Sequence, residues 1–218
     1  VNQEDFMLRS TTRLASLALA AILASTLGGA AAAAEELAIG AKAPDFTLLG
    51  TDGQKYTLSA IAAPEKGAAP KAVAVVFTCN HCPFSQAYEP LLIELAKKYS
   101  ARGVAFVLVN PNDAKVQPED SYDRMVSRAK DKGYPFPYLH DAGQDVAHAY
   151  GARVTPHIFL LDADLVVRYR GRINDNRDPE KVTAHDLVAA MDALLAGKAI
   201  ETSETRAFGC TIKWKKAS

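Results

Sequence analysis

Cysteine is scarce in this sequence, with three in 218 residues, so no dense disulfide framework can replace a hydrophobic core. An excess of one charge is also missing: 25 Lys and Arg balance 25 Asp and Glu. That removes the usual electrostatic reason to expect a nucleic acid partner. The nearest approach to a basic cluster, Lys213-Trp214-Lys215-Lys216, is short and terminal and reads as solvated. No internal repeat and no long Ser/Gly linker follow residue 34, which leaves one domain as the simplest organisation. A second C-x-x-C and a His pair at ligand spacing are lacking, which argues against a zinc site. No stretch beyond residue 34 is apolar for long enough to span a bilayer. Hydrophobic residues are plentiful at 49%, enough to bury a sizeable core.

The long uncharged stretch lies at the start. From Met7 the chain passes Arg9 and Arg13 and enters residues 14–34, which carry no charge and end in small residues. Basic residues, an apolar run and a small-residue end form the pattern of a secretory signal. Cleavage after Ala34 would use Ala32 and Ala34 as the small pair. The expected division is residues 1–34 as signal and preceding residues, and 35–218 as the mature domain. A periplasmic or secreted location follows, with no stable membrane insertion after cleavage. Retention of the run as an anchor is the alternative, although Gly28-Gly29 interrupts it. Outside the cytosol thiols can be oxidised and stay so, and an odd cysteine count leaves one sulfur over.

Hydrophobic patterning gives the order of elements. Residues 46–49 and 56–58, split by Thr51-Asp52-Gly53, read as a small hairpin, and 62–70 as a loop. Residues 73–77 form a Val-rich run expected to be covered on both faces. Apolar residues at 88, 91, 92, 95, 96 and 99 have a helical period, and Gly103 closes that helix before a second buried strand at 104–109. This is a parallel βαβ unit. A polar loop opens at Asn110-Pro111-Asn112-Asp113, and residues 122–132 have helical character. A short strand is expected near Tyr138 and a helical turn at 144–150. Residues 157–161 and 165–169 read as a hairpin around Asp162-Ala163-Asp164, and 183–195 as a last helix with Thr183 as its N-cap. The fold class is α/β, a central mixed sheet with helices on both faces.

The chemistry concentrates at Cys79-Asn80-His81-Cys82. Cys79 lies two residues past the buried strand, and Pro83 suits the first position of the following helix. The first sulfur should therefore sit at an open helix N-terminus, where N–H groups and the dipole favour thiolate. His81 adds a positive neighbour that would lower the Cys79 pKa further and make the disulfide easier to reduce. Half of a zinc site and a purely structural bridge are the bland alternatives; a c-type haem site is ruled out because Pro83 stands where that motif needs His.

Val75-Val76-Phe77-Thr78-Cys79-Asn80-His81-Cys82-Pro83 resembles the active site of the thioredoxin superfamily. Val154-Thr155-Pro156-His157-Ile158-Phe159 resembles its cis-proline segment, and Ala43-Pro44-Asp45-Phe46 the entry of the peroxiredoxin and exported TlpA/ResA-like branches. Arg170-Gly171-Arg172-Ile173-Asn174-Asp175 and Gly209-Cys210-Thr211-Ile212-Lys213-Trp214-Lys215 are similar to the peroxiredoxin-like group of redoxin-domain proteins. The resemblance implies a thioredoxin-like fold and thiol–disulfide exchange. Cys79 would be the nucleophile, Cys82 the resolving sulfur, His81 the tuner of the thiolate, and Thr155-Pro156 the docking surface for a protein disulfide, dithiol or redox partner protein. No cofactor and no metal are implied.

The sequence also departs from these patterns. Thr78 replaces the Trp of thioredoxins, and Pro90 falls about one turn later than in most exported relatives. Aligning Cys82-Pro83 with the peroxiredoxin Cys-Pro pair puts Cys79 in the place of a Thr and Pro156 in the place of an Arg. Both peroxide-holding groups are then missing, which ranks a thiol peroxidase below a disulfide exchanger. A copper- or partner-binding module through Cys79, Cys82 and His157 is a further alternative. Cys210 is either a resolving thiol, a link to another chain, or an inert thiol. His140, His148, His157 and His185 read as surface or satisfied polar residues, and Asp113, Asp123, Asp162 and Asp175 carry no assigned chemistry.

Overall fold

The computed structural model describes residues 35–216; the expected signal at 1–34 lies outside the described residues. The chain forms β1 (Thr47–Gly50), β2 (Lys55–Thr57), α1 (Leu58–Ala62), β3 (Ala72–Phe77), α2 (Pro83–Ser100) and β4 (Val104–Asn110). After a 3-10 turn at Pro118–Asp120 come α3 (Tyr122–Lys132), β5 (Tyr138–His140), α4 (Asp145–Tyr150), β6 (Val154–Thr155), β7 (His157–Asp162) and β8 (Val167–Gly171). The last elements are a 3-10 turn at Pro179–Lys181, α5 (Asp186–Leu195) and β9 (Cys210–Thr211).

Seven strands make one mixed sheet in the order β2-β1-β5-β4-β3-β7-β8. β3 runs parallel to β4, and β4 parallel to β5, while β7 pairs antiparallel with β3 and β8 with β7. Every residue of β3 is buried, and its two faces feed two cores. Ala72, Ala74 and Val76 pack with Tyr88, Leu92, Leu95 and Tyr99 of α2 and with Leu187 and Met191 of α5. Val73, Val75 and Phe77 pack with Phe46, Leu58, Ala147 and Tyr150 on the opposite face. Burial of each large apolar side chain contributes about 1.5–3 kcal/mol, so the continuous Val run is what a strand covered on both sides requires.

Differences from the sequence expectation have local causes. Leu58 begins a helix rather than ending a strand, and it is fully buried against the second core. β8 starts at Val167 rather than 165, because Leu165 takes a left-handed conformation (φ 61) in a turn held by Asp162. Thr183 is not an N-cap. Its hydroxyl and N–H bond Asp175, and α5 begins only after His185. Pro83 does occupy the first helical position of α2, and Pro90 is carried inside that helix.

Candidate active site

β3 delivers the cysteine loop to the sheet's end, where the Thr78 N–H bonds the Val109 carbonyl at 2.8 Å. Cys82 is the N-cap of α2, and its carbonyl accepts the Gln86 N–H at 2.9 Å. Cys82 thus stands at the helix terminus itself, with Cys79 three residues before it. Both are free thiols and both are buried, with Cys79 3% and Cys82 0% exposed.

The Thr155-Pro156 bond is cis, and Thr155 touches both sulfurs. Its hydroxyl lies 3.1 Å from the Cys79 Sγ, and its carbonyl oxygen lies 3.2 Å from the Cys82 Sγ. Thr155 also pairs with Cys210, since β6 and β9 run antiparallel. That pairing brings the third thiol beside Cys82, whose thiolate it helps to stabilise. Cys210, whose distance from the pair the sequence leaves open, thus lies with Cys79, His81, Cys82, Thr155 and Pro156 in one place.

These contacts set the protonation of the sulfurs. Cys82 is pulled down to about 4, first by the hydrogen bond from Cys79, against burial, with help from Cys210 and the Ser85 N–H. Cys79 moves up, because it is the partner that keeps the shared proton, is buried, and faces the Asp120 carboxylate.

Asp120 is the residue that sequence reasoning missed. It is fully buried at the end of the 3-10 turn, and its Oδ1 accepts the Asn80 N–H at 2.6 Å. Its Oδ2 lies 2.5 Å from the His81 Nδ1 and accepts the Asn112 amide at 2.8 Å. His81 sits between this carboxylate and Cys79, whose sulfur is 3.5 Å from the same ring nitrogen. Tyr138 and Glu119 tie down the Asn80 side chain. The only signal in the sequence was an acidic residue after Pro118, which reads as surface.

Among the described residues, Cys79, His81 and Asp120 are the group whose ligand atoms come within 4.8 Å of one another. His157 is not part of it, so the copper trio of Cys79, Cys82 and His157 is not assembled. His157 departs from its expectation as a surface or satisfied residue as well. It is 1% exposed, neither ring nitrogen has a hydrogen-bond partner among the described residues, and burial first, then Arg170 and Arg153, lower it to about 4. His148 stacks on Trp214, and His140 lies over Tyr122.

A model of the AhpC/TSA family matches residues 39–170. The thiol-disulfide oxidoreductase ResA of Bacillus thuringiensis (strain Al Hakam) is 27% identical over 130 residues, 60% of this chain and 67% of that protein. A crystal structure of an uncharacterised conserved protein from Geobacillus kaustophilus is 39% identical, covers 84% of this chain and 96% of its own, and superposes with a TM-score of 0.77. A putative thiol:disulfide interchange protein DsbE from Chlorobium tepidum, 23% identical over 73% of this chain and 99% of its own, has a TM-score of 0.59 and shows the thioredoxin-like fold alone.

Proposed function

The chain belongs to the AhpC/TSA family, and from that premise we propose that it is a thiol–disulfide oxidoreductase working through Cys79 and Cys82. The observation that carries this reading is the Thr155 contact to both sulfurs at 3.1 and 3.2 Å, beside a pair that shares one proton. Similarity to the ResA proteins supports the same reaction type.

In the proposed cycle Cys79, the sulfur with residual exposure, attacks a protein disulfide and forms a mixed disulfide. Cys82, already held as thiolate, then attacks Cys79, forms the Cys79–Cys82 bond and releases the substrate thiolate. His81, held by Asp120, stands 3.5 Å from the Cys79 sulfur as it gives up its proton, and Thr155-Pro156 forms the docking edge. Because both sulfurs are buried, exchange with a protein requires local opening, and the segment bearing Cys210 is the neighbour that contacts Cys82. Arg9, Arg13 and the uncharged residues 14–34 support work in an exported compartment on protein disulfides, dithiols or a redox partner.

The test is reduction of a model protein disulfide by wild type, Cys79→Ser and Cys82→Ser. Both variants should lose turnover, and Cys82→Ser should trap substrate on Cys79. One observation favours a second reading: the sulfur favoured as thiolate is Cys82, the one followed by Pro83. Hydroperoxide consumption that survives Cys79→Ser and disappears in Cys82→Ser would replace the exchanger by a thiol peroxidase.

A further inference from the structure

We propose that Cys210 is a third redox-active thiol of this site, which takes Cys82 into an alternative Cys82–Cys210 disulfide. This rests on the redox pair proposed above and extends it.

The C-terminal strap is a fitted part. Gly209 lies so close to the cis-proline segment that a Cβ there would stand 2.1 Å from the Thr155 carbonyl oxygen. Beyond it, β9 pairs with β6 through Thr155↔Cys210 and Val154↔Thr211, and the Ile212 N–H bonds the Arg153 carbonyl at 3.2 Å. Asn112 accepts the Lys213 N–H at 2.8 Å, and Gln144 accepts the Lys215 N–H at 2.8 Å. Trp214 stacks on His148 with ring centres 4.2 Å apart. An extended segment laid on an exposed strand edge is also how a substrate peptide is held by backbone pairing. Here the protein's own tail takes that edge and presents a cysteine to Cys82.

The exchange conserves oxidation state. Starting from the Cys79–Cys82 disulfide, Cys210 loses its proton and its sulfur attacks the Cys82 Sγ. The Cys82–Cys210 bond forms, the Cys79–Cys82 bond breaks, and Cys79 leaves as a thiolate that takes up the proton. Cys210 is partly exposed whereas Cys82 is wholly buried, so the strap links the inner sulfur to the surface. In the reduced protein burial and the adjacent Cys82 hold the Cys210 thiol up at about 11, with Lys213 opposing. Once Cys82 is in a disulfide its charge is gone, and Cys210 gains nucleophilic character when there is a bond to attack.

The experiment equilibrates the full chain in glutathione buffers, quenches with an alkylating reagent and maps linked peptides by mass spectrometry. Wild type should yield both the 79–82 and the 82–210 linkages, with Cys79 alkylated in part of the oxidised protein. Cys210→Ser should lose that alkylation, and Cys79→Ser should close 82–210 within one chain. Wild-type protein with only the 79–82 linkage, and Cys79→Ser that gives only glutathione adducts with Cys210 alkylated, would overturn the proposal. The underlying exchanger is judged separately: Cys210→Ser that forms 79–82 and reduces a protein disulfide upholds it, and loss of both there removes it.

Discussion

The Asp120 Oδ2 lies 2.5 Å from the His81 Nδ1, and the other oxygen of the same carboxylate holds the Asn80 N–H at 2.6 Å. One buried acid thus fixes both the backbone and the imidazole between the two cysteines. Removing it takes the carboxylate from the buried Asn80 N–H and Asn112 amide, a loss of about 1–3 kcal/mol for each buried group. Asp120→Ala should therefore lower the denaturant midpoint of the reduced protein markedly. Asp120→Asn removes the charge that raises Cys79, so the Cys79 thiol should titrate at lower pH in alkylation profiles. An unchanged profile would dismiss the carboxylate as a tuner of that sulfur.

Cys82 supplies the second prediction. With its pKa at about 4, the reduced protein should show thiolate ultraviolet absorbance at neutral pH, lost on acidification toward pH 4 and absent in Cys82→Ser. The linkage has two sides. A thiol depressed from about 8.5 when unfolded contributes stability that is complete above that value and is lost as pH falls through the folded one. Cys79 is raised, so its contribution is present below about 8.5 and is lost as pH climbs. Stability of the reduced form, as far as this pair sets it, should peak near there. Urea midpoints across pH check this, and Cys82→Ser should flatten the acid side.

What the sequence disclosed was local. Strand, C-x-x-C and Pro83 are contiguous, so the emergence of the cysteines from β3 into α2 could be read directly, as could Thr155-Pro156 ahead of β7. Pro83 at the first helical position also marks Cys82 as the cap, which the structure holds at φ −70, ψ 121. Asp120, by contrast, was hidden. It meets Asn80 and His81 across 40 and 39 positions of sequence, and an acidic residue in a polar stretch gives no sign of burial. Cys210 lies 55 positions beyond the residue it pairs with, as the Thr155↔Cys210 register shows. Only the closure of β9 on β6 reveals that its sulfur belongs to the site.

His157 supplies the third prediction. Buried without a hydrogen-bond partner among the described residues, and facing Arg170 and Arg153 with Glu36 4.0 Å away, it stays neutral to about pH 4. The unfolded chain takes up that proton near pH 6.5, so the stability His157 contributes is present above 6.5 and lost as pH falls toward 4. The gap corresponds to about 3 kcal/mol. Wild type should lose denaturant resistance across that window beyond what its carboxylates explain, and His157→Gln should lose less. Equal slopes in the two proteins would show that the imidazole titrates elsewhere.

Gly209 supplies the last. Its Cα packs against the Thr155 carbonyl with no room for a Cβ, which would come 2.1 Å from that oxygen and 2.7 Å from its carbon. Both atoms are backbone within β6, so a flexible side chain cannot relieve the contact by swinging aside. Gly209→Ala must therefore push β9 off β6, at about 1–3 kcal/mol of overpacking. The strap's further anchors at Asn112, Gln144 and His148 should keep the domain folded while the edge lifts. Cys82, wholly buried in the parent, should then react faster with an alkylating reagent. The Cys210 thiol should at the same time fall from about 11, because it leaves its half-buried place beside Cys82. Parental alkylation rates at both sulfurs in a folded Gly209→Ala protein would mean that the strap does not cover the site.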